Sequence, residues 1–219
     1  MRRPSWLSHG LIVAGLGLAL PAQAITIADS RLGGLAFYDS DLDIIWVVDA
    51  NLAQTSGFDS DGRMTWSDAN AWAAGLTVGG VSGWRLPTTM QPDASCSSQN
   101  VNAGFPDQGF GTGCTGSEMG HLFNVEGITA AAPGVFSNVQ PSFYWSGTEL
   151  APFTSNAWNF VFGNGSQSAG SKGGNNFAWA VHSGDVSAPA PAAVPEPGTM
   201  LLMGSGLVGL MAWRRLRRG

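Results

Sequence analysis

Hydrophobic positions follow two different patterns along this 219-residue chain. Uncharged apolar segments occupy residues 11–20 and 198–213, whereas the part between them carries short aromatic and β-branched runs separated by Gly, Asp, Asn and Ser. Short runs of this composition between turn-forming residues predict β-strands. The pattern therefore predicts a sheet-rich central domain flanked by two terminal segments of a different kind.

The strands of the central domain are predicted from five such runs. The first two are close enough in sequence to form a hairpin, and the Gly-Asn-Gly sequence at 163–165 predicts a turn after the fourth. The runs lie at residues 35–39, 42–48, 143–146, 157–162 and 177–181.

Two short helices are predicted between the strands. Thr65 and Asp68 form a capping-box pattern before a helix at 69–74, with Gly75 as its C-cap. A second helix begins at Ser117, which we expect to be its N-cap. Few helices, several short strands and 31 glycines predict a loop-rich α+β domain.

The N-terminal apolar segment has the features of a signal peptide. A basic pair precedes it, and Ala22 and Ala24 form a small-x-small cleavage site after it. We expect residues 1–24 to be removed after export through the Sec pathway, so that the mature chain begins at Ile25 and its domain extends over residues 25–186.

The C-terminal apolar segment belongs to a three-part tail. Residues 187–197 are rich in Ala and Pro, residues 198–213 are uncharged and residues 214–219 are basic. We expect an extended spacer, a membrane-inserted apolar helix and a cytoplasmic tail held by the positive-inside rule. From Thr199 to Trp213 there are only 15 residues. A stable transmembrane helix needs roughly 17 to 25, so transient insertion is favoured over a permanent anchor.

This arrangement resembles the PEP-CTERM signal, the tail that exosortase-type membrane proteases recognise. The resemblance implies a precursor in the inner membrane that is processed and then reaches the cell surface or the medium. An ordinary membrane anchor is the alternative. The residues that carry the resemblance are Val194, Pro195, Glu196, Pro197, Arg214 and Arg215.

The expected mature chain is strongly acidic. All 15 acidic residues but only 4 of the 10 basic residues lie between positions 25 and 197, which leaves a formal charge of −11. Such a surface repels nucleic acid and anionic lipid, and it suits cations or neutral sugars.

Cys96 and Cys114 are the two cysteines of the chain. In an oxidising compartment, an even pair that brackets a loop is expected to form a disulfide. Here the disulfide would close the Gly-, Asn- and Ser-rich stretch at 97–113. A catalytic or metal-binding role is the alternative, although the chain has no Cys-x-x-Cys spacing to favour it.

The central part of the chain contains three tryptophan-containing segments, at residues 83–88, 144–148 and 178–181. Their motif residues are Trp84, Arg85, Leu86, Pro87, Tyr144, Trp145, Ser146 and Trp179. In their order and spacing these segments resemble the Lcl C-terminal domain family. The resemblance covers about residues 33–186 and implies a fold similar to C-type-lectin-like and formylglycine-generating domains, in which a twisted antiparallel sheet carries short helices and long loops. Two features depart from the family pattern. The stretch between Thr88 and Cys114 replaces a helix, and His182 stands where many members carry arginine.

The aromatic motif residues are expected to build the core, each indole N–H with a hydrogen-bond partner. Arg85 should point away from its Trp and Leu neighbours and meet a carboxylate, for which Asp49 and Asp68 are the candidates. Trp66, Trp72 and Tyr144 would be able to stack on sugars if their rings were exposed, but spacing does not separate a sugar platform from a core cluster.

Two acidic stretches raise the question of calcium. Asp39, Asp41 and Asp43 alternate along the chain, and a second stretch begins at Asp59. Counted from Asp59, this second stretch lacks the glutamate that an EF-hand loop requires at its twelfth position. Turn formation explains this second stretch. No metal ligand and no cofactor is assigned to either stretch.

Enzyme signatures are sparse. The Gly-Ser-Glu-Met-Gly sequence around Ser117 superficially matches a nucleophile elbow, but no apolar strand precedes it. We therefore assign no catalytic residue. The sequence favours a non-enzymatic interaction domain, exported to the surface, with exopolysaccharide as its candidate ligand. We expect the ligand to bind at the loops around the Cys96–Cys114 excursion and at exposed aromatic residues. An enzyme on a formylglycine-generating-like scaffold and a purely structural envelope protein are the alternatives.

Overall fold

A computed structural model describes residues 29–101 and 106–186 of the chain. The signal peptide, the Ala/Pro spacer, the C-terminal apolar helix and the basic tail expected from the sequence lie outside these residues. Eleven strands are present in the described part: β1 (Ser30–Arg31), β2 (Ala36–Asp39), β3 (Ile44–Val47), β4 (Arg63–Met64), β5 (Ser98–Asn100), β6 (Gln108–Phe110), β7 (Phe143–Glu149), β8 (Asn156–Val161), β9 (Ser166–Ser171), β10 (Asn176–Phe177) and β11 (Val181–Ser183).

The helices are short. They are α1 (Leu52–Thr55), α2 (Trp66–Gly75) and α3 (Glu118–Asn124), with a 3-10 turn at Leu32–Gly34. Within the described ranges, no helix combines the length and the apolar character that crossing a membrane requires.

The first sheet has the order β1-β2-β3-β11. The predicted hairpin is confirmed, because β2 and β3 pair antiparallel with Phe37 opposite Trp46. Strand β11 completes the sheet on the other side of β3, where Val181 lies opposite Trp46.

The second sheet has the order β4-β10-β7-β8-β9. Its strands pair antiparallel except β10 and β7, which run parallel. The predicted run at 177–181 is divided between the two sheets. Its first part forms β10, and its last residue begins β11. The intervening Trp179 is fully buried and donates its indole N–H to the Val47 carbonyl at 2.7 Å, which fixes the crossing.

The core is one cluster of buried residues that includes positions from both sheets, and it is rich in aromatic rings. Four tryptophans, at positions 46, 84, 145 and 179, are among its largest fully buried side chains. Trp84 donates to the Val81 carbonyl at 2.8 Å and Trp145 to the Met64 carbonyl at 2.9 Å. The family tryptophans therefore lie in the core, as expected, and their indole N–H groups have hydrogen-bond partners.

The helix boundaries agree with the predicted caps in part. The Thr65 hydroxyl accepts a hydrogen bond from the Asp68 amide, as the capping pattern predicted, but α2 begins at Trp66 and includes Gly75. Ser117 occupies the N-cap position of α3 without a side-chain cap bond. The domain is α+β and loop-rich, as predicted, although its strands divide into two larger sheets and a small β5–β6 pair rather than one continuous sheet.

Candidate binding site

Two family motifs contact each other through the backbone of Pro87. Its carbonyl accepts hydrogen bonds from the Ser146 hydroxyl at 2.9 Å and from the Gly147 amide at 2.8 Å. Trp84, Leu86, Tyr144 and Trp145 are each no more than 2% exposed. In this fold the buried motif residues form part of the core, and the hydrogen bonds to Pro87 fix the loop that follows Leu86.

Arg85 lies on the opposite face of its segment, as predicted, but its carboxylate partner is Glu118. The guanidinium makes two hydrogen bonds to this carboxylate, of 2.8 and 2.7 Å. The candidates Asp49 and Asp68 were wrong, because their carboxylates have other partners: Asp49 accepts from Thr55 and Asn138, and Asp68 accepts from Thr65. The backbone bridge between Arg85 and Val181 leaves the guanidinium facing the first turn of α3.

The disulfide between Cys96 and Cys114 is present, which confirms the predicted pairing. It closes an excursion that contains the β5–β6 hairpin. The excursion is attached to strand β9 by two backbone hydrogen bonds between Gly111 and Gln167, of 2.9 and 2.7 Å. Since β9 is the last strand of its sheet, the excursion covers part of that edge.

A cleft of about 290 Å³ separates this excursion from the end of β7. Most of its polar side chains bond to the protein itself. Gln91 exchanges two hydrogen bonds with the Gly109 backbone, Gln108 donates to the Ala151 carbonyl, and Glu149 pairs with Lys172. The floor of the cleft, Trp158, is only 3% exposed. The cleft therefore offers a ligand little aromatic surface.

The three aromatic residues proposed from sequence as sugar platforms do not present open rings. Tyr144 is fully buried and Trp72 is 4% exposed, so these two candidates are wrong. The half-buried Trp66 has the Lys172 ammonium 4.0 Å from its ring centroid, which covers one face. Among the described residues, the exposed phenylalanines are at positions 58, 110, 143 and 153.

Phe58 is the most exposed of these rings, at 62%, and lines a groove of about 400 Å³. We call this the Phe58 groove. Two carboxylates and an amide side chain, those of Asp59, Asp68 and Asn175, line it together with Arg63. On its other side Phe58 also lines an adjoining apolar hollow against Trp72. An aromatic ring beside a few polar groups is the usual composition of a small-molecule site.

The loop that presents Phe58 is held by side-chain to backbone hydrogen bonds. Asp59 Oδ1 accepts from the amides of Asp61 and Gly62, and Asp61 Oδ1 accepts from the Arg63 amide. These bonds, led by the Asp61 amide, lower the pKa of Asp59, so that its carboxylate stays charged at neutral pH. The acidic stretch at Asp59 is therefore a network of Asx turns, as expected.

Gly62 closes this loop. Its φ is +78°, and a Cβ there would lie 1.9 Å from Oδ1 of Asn51. Only glycine meets both requirements, because other residues rarely adopt this φ and no side chain fits against Asn51.

The first acidic stretch is divided by the structure. Asp43 accepts a hydrogen bond from the Tyr38 hydroxyl at 2.9 Å, whereas Asp39 is buried and faces His121 and Glu126. Burial raises the pKa of Asp39 above its ordinary value. Local sequence patterns do not associate these three residues, because His121 and Glu126 come from a distant segment and reach Asp39 only in the folded chain.

The four cationic side chains of the described domain are all engaged. Arg31 pairs with Asp185, Arg85 with Glu118 and Lys172 with Glu149. The fourth, Arg63, donates to the Asn175 carbonyl and lies 5.7 Å from the centroid of the Phe177 ring. An anionic ligand would thus meet an acidic surface on which three of these four positive charges are already paired with carboxylates.

This architecture, an acidic α+β domain with a tryptophan core and a disulfide-closed excursion, precedes an export-type tail in the sequence. Residues 36–182 match the family model described as the Lcl C-terminal domain, and residues 193–218 match the PEP-CTERM protein-sorting motif. The chain belongs to the Lcl C-terminal domain family, as the motifs predicted. No curated protein matches the chain. The sorting motif identifies the protein as one that exosortase directs to the cell envelope or exterior.

Proposed function

We propose that this protein is a non-enzymatic binding module of the extracellular matrix, which holds neutral exopolysaccharide in the Phe58 groove. The observation that carries the proposal is the Phe58 ring, 62% exposed, beside the carboxylates of Asp59 and Asp68. An exposed ring of this size in a groove offers apolar surface to a ligand.

Sugar chemistry fits both kinds of surface in the groove. One face of a pyranose ring presents C–H groups that pack on an aromatic ring, and its rim carries hydroxyls that donate to carboxylates. Asp59 is ionised at neutral pH, and Asp68 already accepts from the Thr65 hydroxyl at 2.7 Å, a bond of the kind that a sugar hydroxyl would make. Three of the four cations of the described domain are paired with carboxylates, and the surface is acidic overall, which favours a neutral glycan over a sulfated or uronic one.

The sorting tail supports a role outside the cell. Export in this proposal proceeds through Sec, with cleavage before Ile25, and exosortase then removes the apolar helix and basic tail. The mature domain would meet polysaccharide at the surface or in the medium.

The enzyme alternative has little support in the described residues. Both cysteines are consumed by the disulfide, so neither is a thiol available for formylglycine-type chemistry. Ser117 is 2% exposed, which removes it from contact with a substrate.

A glycan array tests the proposal. The protein should bind neutral polysaccharides with and without added calcium, and Phe58→Ala should reduce binding at least about tenfold, a loss of about 1.4 kcal/mol. Phe153→Ala is the matched control, because Phe153 is also exposed, at 54%, but does not line the Phe58 groove. Equal loss in both variants, or binding only to anionic glycans, would contradict the proposal. If only Gln108→Ala lost glycan binding, the binding site would be the cleft beside the disulfide-closed excursion, which Gln108 lines.

A further inference from the structure

Asp39, His121 and Glu126 form a second cluster, separate from the Phe58 groove. One ligand-type atom from each lies within 4.8 Å of the other two. Asp39 ends strand β2, His121 belongs to α3, and Glu126 follows α3. The cluster thus joins the hairpin of the first sheet to the end of a helix.

Local structure explains why His121 and Glu126 lie side by side. The amides of Val125 and Glu126 both donate to the His121 carbonyl, at 2.8 and 3.2 Å, as α3 ends. This turn brings the fully buried Glu126 carboxylate to 3.6 Å from Nε2 of His121. Asp41, which is 30% exposed, approaches the same nitrogen at 3.7 Å.

The distances from Nε2 of His121 to the carboxylates of Glu126 and Asp41 are too long for hydrogen bonds. They exceed the roughly 2.7–2.9 Å of a charge-assisted hydrogen bond, to which an imidazolium and a carboxylate would be expected to close. They resemble the edge of a tetrahedron of ligands around an ion with bonds of about 2.1 Å, which is about 3.4 Å. Nε2 of His121 is itself buried and makes no hydrogen bond within the described part of the chain.

The outer partners of Asp39 are also in place. Its Oδ1 accepts from the amides of Asp41 and Leu42, both at 3.1 Å, and its Oδ2 accepts from the Trp46 indole at 3.4 Å. Hydrogen bonds of this kind orient the carboxylates that bind metals. Two carboxyl groups and one imidazole also supply the oxygen and nitrogen donors that divalent transition metals bind.

We propose that Asp39, His121 and Glu126, with Asp41 at the exposed side, bind one divalent transition-metal ion of the Zn²⁺ class. An imidazole nitrogen with carboxylate oxygens suits Zn²⁺ and its neighbours better than Ca²⁺ or Mg²⁺, which prefer ligands that are all oxygen. The ion would tie the β2–β3 hairpin to α3.

The test is metal loading of the full-length protein, purified in mild detergent. After chelator treatment and dialysis against Zn²⁺, elemental analysis should find about one zinc per wild-type chain. Zn²⁺ at about a hundredfold excess over its Kd should raise the Tm by about 5–10 °C. Added Ca²⁺ or Mg²⁺ should not displace it.

Two histidine variants distinguish zinc binding at this cluster from nonspecific zinc binding elsewhere on the protein. His182→Gln, which removes a histidine outside the cluster, should keep its zinc, whereas His121→Gln should lose it. Should His121→Gln fail to fold, Asp41→Asn changes only a partly exposed ligand and should weaken zinc binding at least about tenfold. A wild-type chain that retains no zinc, or that binds Ca²⁺ in its place, would overturn the proposal. The same conclusion follows if His121→Gln retains the zinc of wild type. None of these results depends on whether the Phe58 groove binds sugar.

Discussion

Arg85 and Glu118, 33 residues apart, form a two-point ion pair that joins a family motif to the first turn of α3. Glu118 is 13% exposed and also accepts the Thr88 amide at 2.7 Å. The same carboxylate thus fixes the arginine and the loop that leads toward the disulfide.

Replacing this carboxylate should destabilise the domain. We expect Glu118→Gln to lower the free energy of unfolding by about 2 kcal/mol, because it leaves the part-buried Arg85 without its counter-charge. Urea denaturation measures the change. Asp185→Asn is the control, since Asp185 is 32% exposed where it pairs with Arg31, and its loss should cost at most about 1 kcal/mol. If the two variants proved equally stable, the Arg85–Glu118 pair would stabilise the domain no more than an exposed ion pair does.

The ion pair also shows which kind of contact local sequence patterns do not predict. The β2–β3 hairpin and the Thr65 cap were predictable because their partners are a few residues apart. Glu118 was not identified as the partner of Arg85, because only the packing of α3 brings it there. Phe58 was also missed, since a single ring in a polar loop gives no periodic signal.

Strand β9 was missed for a different reason. Its sequence of Ser, Gln, Ala and Gly has none of the β-branched or aromatic residues that indicate a strand. It forms because β8 pairs with it along six positions and the disulfide-closed excursion covers it at Gln167. The fold class and the aromatic core followed from local patterns, whereas the edges and the groove depended on tertiary contacts.

The disulfide should contribute measurably to stability. Its cysteines are 18 positions apart, and closing a loop of this length is worth about 3 kcal/mol in the chain-entropy model. The double variant Cys96→Ser with Cys114→Ser should therefore have a free energy of unfolding about 3 kcal/mol lower than that of wild type. Urea denaturation measures this difference. Non-reducing mass spectrometry of the exported wild type should show no free thiol. Two alkylated cysteines in that sample would contradict the pairing.

Alkaline pH should distinguish the two tyrosines of the chain. Burial raises the pKa of Tyr144, and the hydrogen bond to Asp43 raises that of Tyr38. A folded-state pKa above the unfolded value of about 10 means that stability is full below that pH and is lost as the pH rises beyond it. Absorbance at 295 nm should report ionisation of Tyr144 only together with loss of the near-ultraviolet circular dichroism signal.

Tyr38→Phe provides the control for this titration. The variant should show no ionisation in the folded state and a single step on unfolding. Reversible ionisation near pH 10 with the fold intact would mean that Tyr144 is not buried as described.

The tail should control processing in the native host. Glu196→Ala should leave a membrane-retained precursor, because exosortase loses its recognition element and the arginine cluster resists export. Each arginine costs roughly 2.5 to 3.5 kcal/mol at mid-membrane. The wild type should lose its C-terminal peptide and appear at the surface or in the medium, as mass spectrometry and fractionation will show. Asp185→Ala, outside the motif, should be processed normally. Unchanged size and location in Glu196→Ala would make the tail a plain anchor.

The most direct test of the central claim is the affinity of the exported protein for neutral polysaccharide isolated from its own host's matrix. Isothermal titration should give binding for wild type and for Phe58→Trp, at least about tenfold weaker binding for Phe58→Ala, and wild-type affinity for Phe153→Ala. If Phe58→Ala bound as tightly as wild type, or if wild type bound no neutral polysaccharide, the Phe58 groove would not be the binding site.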